Sequence, residues 1–154
     1  MRNPIFYGSV HLLFYRDEDR ETLLLKRQNT GFADGLWSVV AGRIDGREEV
    51  IAAAIREAKE EAGVVIAPAD LEVTGVMHRR NGQTEWIDFY LKVRMWSGVI
   101  ANMEPHKCEE LRWYPVDALP EEMVPYVRAA VLREDRSLWF ESYGWAPSPT
   151  AANE

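Results

Sequence analysis

At 154 residues, 47% hydrophobic and 28% charged, the chain has the size and apolar content of one globular domain with its own core, which excludes a disordered polymer and a miniprotein dependent on disulfide staples. Its 18 basic and 25 acidic residues leave a net charge of −7. That charge opposes binding to the phosphate backbone of DNA or RNA, but not to a small phosphate-bearing molecule approached through a divalent cation. Residues 5–15 (IFYGSVHLLFY) are rich in β-formers and read as a strand, residues 16–20 as a charged turn, and residues 22–27 (TLLLKR) as the returning strand. Residues 28–35 (QNTGFADG) carry two glycines, Asn and Asp and read as a loop, followed by a short apolar strand at 36–40 and a second loop at 42–47 (GRIDGR). Residues 48–62 are rich in Ala, Ile and Glu and predict a helix, stopped by Gly63. Strands at 71–80 and 86–96 flank an Asn81-Gly82 turn. Residues 111–114 give a further short strand, 117–119 a turn of helical character, and 124–134 a closing helix with Pro125 in its first turn. The tail from Gly144 is rich in Pro, Ser and Ala and is expected to be loose, which leaves residues 1–143 as a single domain.

The expected fold class is α/β (α+β): a mixed β-sheet sandwiched between helices. Residues 1–9 lack the apolar core of a secretion signal. No run of about 18 apolar residues is present, so no membrane association is expected. Cys108 is the single cysteine, which excludes an intramolecular disulfide and fits a reducing cytoplasm.

The chemistry concentrates in the helix at 48–62. At about 100° per residue, Ile51, Ile55, Ala58 and Ala62 share a stripe that can pack on the sheet, while Glu57, Glu60 and Glu61 cluster on a different face. Three carboxylates at i, i+3 and i+4 repel one another, and a hard divalent cation would offset that cost. Taken alone, the stretch reads more readily as a solvated acidic face with Arg56 and Lys59 as partners. Its surroundings change the balance. From Gly42 the sequence runs GRIDGREEVIAAAIREAKEEAGV, which resembles the Nudix signature G-x5-E-x7-R-E-U-x-E-E-x-G-U, U being apolar. Every defined position matches, with Ala58 a small occupant of its apolar slot.

The resemblance implies a Nudix hydrolase that uses Mg²⁺ (or Mn²⁺ in its place) to cut a diphosphate bond. Glu57, Glu60 and Glu61 match the metal-binding glutamates, and the carbonyl of Ala41 matches a further ligand. Arg56 and Glu48 match an ion pair bracing loop against helix, and Gly42 and Gly63 match positions where a side chain would obstruct. The segment NMEPHKCEELRWYPVDAL (102–119) resembles the MutT-like branch, which hydrolyses nucleoside triphosphates to a monophosphate and pyrophosphate. There Glu104 matches an acid that joins the metal site or acts as base, with Glu109 and Glu110 as rivals. The base that takes the water's proton is thus open among Glu60, Glu61 and Glu104.

Arg27 matches a basic residue that meets phosphate in relatives, and reads equally as an exposed cation. Phe32, Trp86, Phe89 and Trp113 are the aromatics that could stack a base, although most such side chains belong to cores. Arg79 and Arg80 follow a strand and could meet phosphate, but read first as edge-strand charges; His78 reads as structural, and Cys108 as a small buried residue without the setting of an activated thiolate. The expected partner is a small nucleotide, without nucleic acid or membrane; a homodimer is suggested by the resemblance alone. Three other functions remain. An ADP-ribose or nucleoside-diphosphate-sugar diphosphatase is disfavoured by the roughly 41 residues before the motif. A silent ligand sensor is disfavoured by the intact acidic set, and isoprenoid diphosphate isomerisation by the position of Cys108.

Overall fold

The computed structural model describes residues 5–145. Strand β1 (Phe6–Arg16) is the axis of the molecule. Its end pairs antiparallel with β2 (Glu21–Arg27), its middle pairs antiparallel with β4 (Val40–Arg43), and its other edge runs parallel to β6 (Thr84–Val93). Strand β5 (Leu71–Asn81) forms a hairpin with β6, and β8 (Trp139–Tyr143) adds parallel to β5. Strand β2 also carries the short β3 (Trp37–Ser38) and β7 (Cys108–Pro115).

Alternation along β1 divides the core. Val10, Leu12 and Phe14 face helix α1 (Val50–Ala62), together with Leu91 and Val93 of β6. Leu13 and Tyr15 face helix α2 (Pro125–Val131), together with Met77 and Tyr90. This is a mixed sheet between two helices, as the sequence implies.

Several boundaries move. The single strand expected at 36–40 is two short strands on different partners, β3 on β2 and β4 on β1, so Gly42 and Arg43 belong to a strand and not to a loop. The strand expected at 111–114 extends to Cys108–Pro115, while the closing helix is the shorter Pro125–Val131. Val116–Ala118 is one 3-10 turn. Strand β8 has no counterpart in the sequence reading. Its WFESY alternates buried and exposed positions, but only five residues support it. A side chain on Gly75 of β5 would overlap the Trp139 ring, so this glycine lets β8 dock. Of the tail expected to be loose, Trp145 donates its indole N–H to the His78 carbonyl (3.0 Å) and packs on the His78 ring. Residues 146–154 lie outside the described residues.

Helix α1 starts where the Glu49 side chain accepts from the amides of Ile51 and Ala52, and it ends at Gly63, whose φ of 71° closes the last turn onto the Lys59 carbonyl. Its buried face differs from the stripe expected. Ala53, Ala54, Ala58 and Ala62 are buried together with Glu57, whereas Ile51 and Ile55 are only half covered. Glu57 and Glu61 therefore do not occupy a face of their own. Small alanines bring the helix close to β4, and Gly42 offers Glu57 a space that a Cβ would fill.

Candidate active site

At the α1–β4 junction the Arg56 guanidinium is the organising group. Its Nε and Nη2 donate to both Glu48 oxygens (2.7 and 2.9 Å), and Nη2 also donates to the Arg43 carbonyl (3.1 Å). Its Nη1 donates to Glu57 (2.8 Å) and Glu60 (3.1 Å). Glu48 in turn accepts from the Asp45 amide (3.1 Å), which ties the loop between β4 and α1 to the helix. The Arg56 hydrogen bonds hold the Glu48 carboxyl below the usual range.

Glu57 and Glu61 behave in the opposite sense. Burial pushes Glu57 up to about 7 against the opposing pull of Arg56. Burial, followed by the charge of Glu57, pushes Glu61 well above the usual range although it accepts the Ala41 amide (3.1 Å). The charge of Glu104 acts on both in the same direction. Glu104 is fixed by its loop: its amide donates to Asn102 Oδ1 (3.1 Å), and Asn102 Nδ2 donates to the Cys108 carbonyl (2.7 Å). Its two rivals point elsewhere, Glu109 to Lys26 (3.5 Å) and Glu110 to Arg112 (2.6 Å). Glu61, Glu104, Ala41, Gly42 and Arg27 line one cavity. Cys108 lines it too, as a buried thiol pushed up by desolvation to about 11, which is no nucleophile.

Among the described residues, no three His, Cys, Asp or Glu side chains converge as a ready-made metal cage. Arg56 engages Glu57 and Glu60 instead. The donor chemistry nevertheless suits a hard divalent cation. The donors are carboxylate oxygens, two of them on groups whose ionised form burial penalises, and they stand beside a third acid, Glu104; the cations among them are Arg56, Arg27 and Lys107, whose ammonium lies 3.8 Å from Glu104.

A second cavity adjoins the first and shares Arg27, Ala41 and Gly42 with it. Phe32 and Trp86 line it with Arg79 and Tyr126. Arg27 donates to the Phe32 carbonyl (2.8 Å) and to Thr30 (3.0 Å) and lies over the Phe32 ring, so it shapes the 28–35 loop while facing both cavities. Trp86 stacks on Tyr7, with ring centroids 4.9 Å apart. Phe89 and Trp113 reach neither cavity: Phe89 packs under α1, and Trp113 stacks on Trp96.

The sequence reading of Arg79 as an edge charge is overturned. Strand β5 lies between β6 and β8, and Arg79 is 6% exposed, paired with the fully buried Asp88 at 2.7 Å. The hairpin register contains the missed signal: Arg79 faces Trp86, which puts Asp88 diagonally across on the same face. Ser9, His11 and Tyr126 were also missed, because nothing local in sequence joins β1 and α2 to that hairpin.

The model of the NUDIX domain family matches residues 7–134. The mouse protein "8-oxo-dGDP phosphatase NUDT18" is 32% identical over 122 residues, covering 78% of this chain and 35% of the relative; its human counterpart is 29% identical over the same coverage. The chain thus spans about a third of the length of these curated relatives. Among solved structures, the MutT NUDIX hydrolase from Burkholderia pseudomallei superposes with a TM-score of 0.77 at 24% identity, over 85% of this chain and 99% of that one. The MutT protein from Methanosarcina mazei gives 0.70 at 19% identity, over 85% and 94%. At these identities the likeness is one of fold.

Proposed function

The chain belongs to the NUDIX family of hydrolases, and from that premise we propose that it is a Mg²⁺-dependent enzyme that cuts a phosphate anhydride bond in a nucleotide. The observation that carries the reading is the junction of a cavity lined by Glu61 and Glu104, with Arg27 and Lys107, and an aromatic, arginine-lined cavity, the two meeting at Arg27, Ala41 and Gly42. A nucleotide has the same two parts, an anionic phosphate chain and a flat base.

In this reading Glu57, Glu60, Glu61 and the Ala41 carbonyl hold the divalent ion, and Arg56 positions the glutamates. When bound, the ion supplies charge neutralisation at the phosphate oxygens and lowers the pKa of an attacking water. The chain's own residues do the rest. Arg27 meets the phosphate chain where the two cavities join. Phe32 and Trp86 hold the base. A carboxylate of the acidic cavity, Glu61 or Glu104, takes the water's proton; Glu60, which is half exposed, serves the ion. The buried, unpaired Cys108 supports a cytoplasmic site of action.

The leading substrate is a nucleoside triphosphate cleaved to monophosphate and pyrophosphate. A nucleoside diphosphate cleaved to monophosphate and orthophosphate is the second reading, favoured by the mouse relative, which is named an 8-oxo-dGDP phosphatase. Hydrolysis in ¹⁸O-labelled water with mass analysis separates them. Pyrophosphate from a triphosphate, with label in one product only, supports the first. Diphosphate turnover with inert triphosphates supports the second, and rapid ADP-ribose cleavage with both inert rejects both.

A further inference from the structure

Beneath the aromatic cavity lies a closed polar network built from β1, β5 and β6. Asp88 is fully buried and accepts from Ser9 Oγ (2.6 Å) and from Arg79 Nε (2.7 Å) and Nη2 (3.3 Å). A hydroxyl has one proton to donate, and that of Ser9 goes to Asp88. The 3.2 Å contact between Ser9 Oγ and His11 Nδ1 therefore requires the proton on Nδ1, donated to Ser9. The ring is 5% exposed and stacks on Tyr90 with centroids 4.7 Å apart, and with Nδ1–H committed to Ser9 the lone pair of the neutral ring is on Nε2. Neither His11 Nε2 nor Arg79 Nη1 forms a hydrogen bond with the described residues, and both side chains line the cavity. Tyr126 and Trp86 flank the Arg79 guanidinium at 4.2 and 5.1 Å, which fixes its plane. The floor thus offers one neutral acceptor beside one charged donor.

We propose that Arg79 and His11 are specificity-determining residues that select bases presenting a lactam edge, –NH–C(=O)–, over bases presenting an amino group. This rests on the nucleotide reading above and deepens it. The lactam N–H meets His11 Nε2, and the carbonyl oxygen meets Arg79 Nη1. An adenine-type edge carries the same two functions in exchanged places: with the base held in the same pose by its ribose and phosphates, the 6-amino group meets the Arg79 donor and the bare N1 meets the His11 lone pair. The charge balance acts the same way: Arg27 and Arg43 line the cavity with Arg79, while Asp88 is the one carboxylate in the network beneath it. Ser9 and Asp88 act as positioning residues: they fix the tautomer of His11 and the orientation of Arg79.

ITP and ATP differ only at this edge, 6-oxo with N1–H against 6-amino with bare N1. With Mg²⁺ present, the wild type should favour ITP in kcat/KM by roughly tenfold or more, the scale of a hydrogen bond to a charged group. Arg79→Met/Asp88→Leu removes both charges together, so no buried ion is stranded. This variant should bring the ratio near one. His11→Phe keeps the stacking on Tyr90 and removes the acceptor, and it should cut the ITP preference even if the double variant does not fold. A wild-type ratio near one overturns the proposal, as does an equal loss for both substrates in the variants. Binding of IMP and AMP in chelator separates the two readings. If neither triphosphate is hydrolysed but IMP binds more tightly than AMP, the triphosphate reading fails and edge selection stands. If IMP is not preferred either, both fall.

Discussion

Glu61 shows most directly what the site asks of a single residue. It is a carboxylate that burial and the Glu57 charge hold well above the usual range, with one backbone amide in compensation. Glu61→Gln keeps shape and helix propensity and removes that charge. We predict that kcat with Mg²⁺ falls by about 100-fold or more, the scale of losing a main electrostatic stabiliser. Melting temperature in chelator should hold or rise. Normal kcat with a lowered melting temperature would make Glu61 structural. The sign of the pH dependence follows from the raised pKa. Between the ordinary value of 4.5 and the raised one, the folded chain keeps a proton that the unfolded chain has lost, so stability falls as pH rises through that window. Glu57, at about 7, acts in the same sense. The melting temperature of Glu61→Gln minus that of the wild type should therefore grow from pH 4.5 upward in chelator and shrink when Mg²⁺ is added. Parallel pH profiles for the two proteins would refute this. At this scale the Arg56, Glu57, Glu60 and Glu61 set was legible because a spaced motif records it, and Glu104 because its loop has a recognisable form. Asp88 and Ser9 were not, because their meaning arises only when two distant strands meet.

Helix α1 and strand β4 form a joint whose tolerance is set by Gly42. A Cβ there would overlap the Glu57 carboxylate, which would have to leave Arg56. Gly42→Ala should cost about 1–3 kcal/mol, as overpacking does, and lower activity with Mg²⁺ by more than tenfold. A fully active Gly42→Ala would mean that Glu57 need not sit where it does. The brace can be tested from the other side. Arg56 is partly exposed (27%), while Glu48 and Glu57 are mostly covered (16% and 10%). Its removal should fall between the exposed and buried limits for ion pairs, about 1–3 kcal/mol in urea unfolding of Arg56→Ala. A loss below about 0.5 kcal/mol would refute a brace. Elements with strong local signals were readable: α1 from its Ala-, Ile- and Glu-rich composition and the stop at Gly63, β5–β6 from Asn81-Gly82, β1 from its run of β-formers. Strand β8 was not, because five residues carry too little pattern and its docking depends on a hole at Gly75. The buried face of α1 was misjudged for a related reason. Hydrophobic identity favoured Ile51 and Ile55, whereas the close approach to β4 selected alanines.

For the whole molecule, a net charge of −7 and the carboxylates of Glu57, Glu61 and Glu104 gathered at one cavity make a cation the natural complement. Excess chelator should abolish hydrolysis, and Mg²⁺ or Mn²⁺ should restore it and raise the melting temperature. Activity undiminished in chelator would end the metal reading. The layered fold was legible because alternating strands and two helices admit few arrangements, but the parallel pairing of β1 with β6 was not, since no local pattern encodes it. That pairing bears on how the protein acquires its shape in time. Arg79 and Asp88 are 9 positions apart in one hairpin, whereas Ser9 and Asp88 are 79 apart. Short loops close early and distant contacts late. The Arg79–Asp88 half of the pocket floor should thus form in the folding nucleus, and the Ser9–His11 half should arrive afterwards. Substitutions in the hairpin should slow refolding, and Ser9→Ala should mainly speed unfolding.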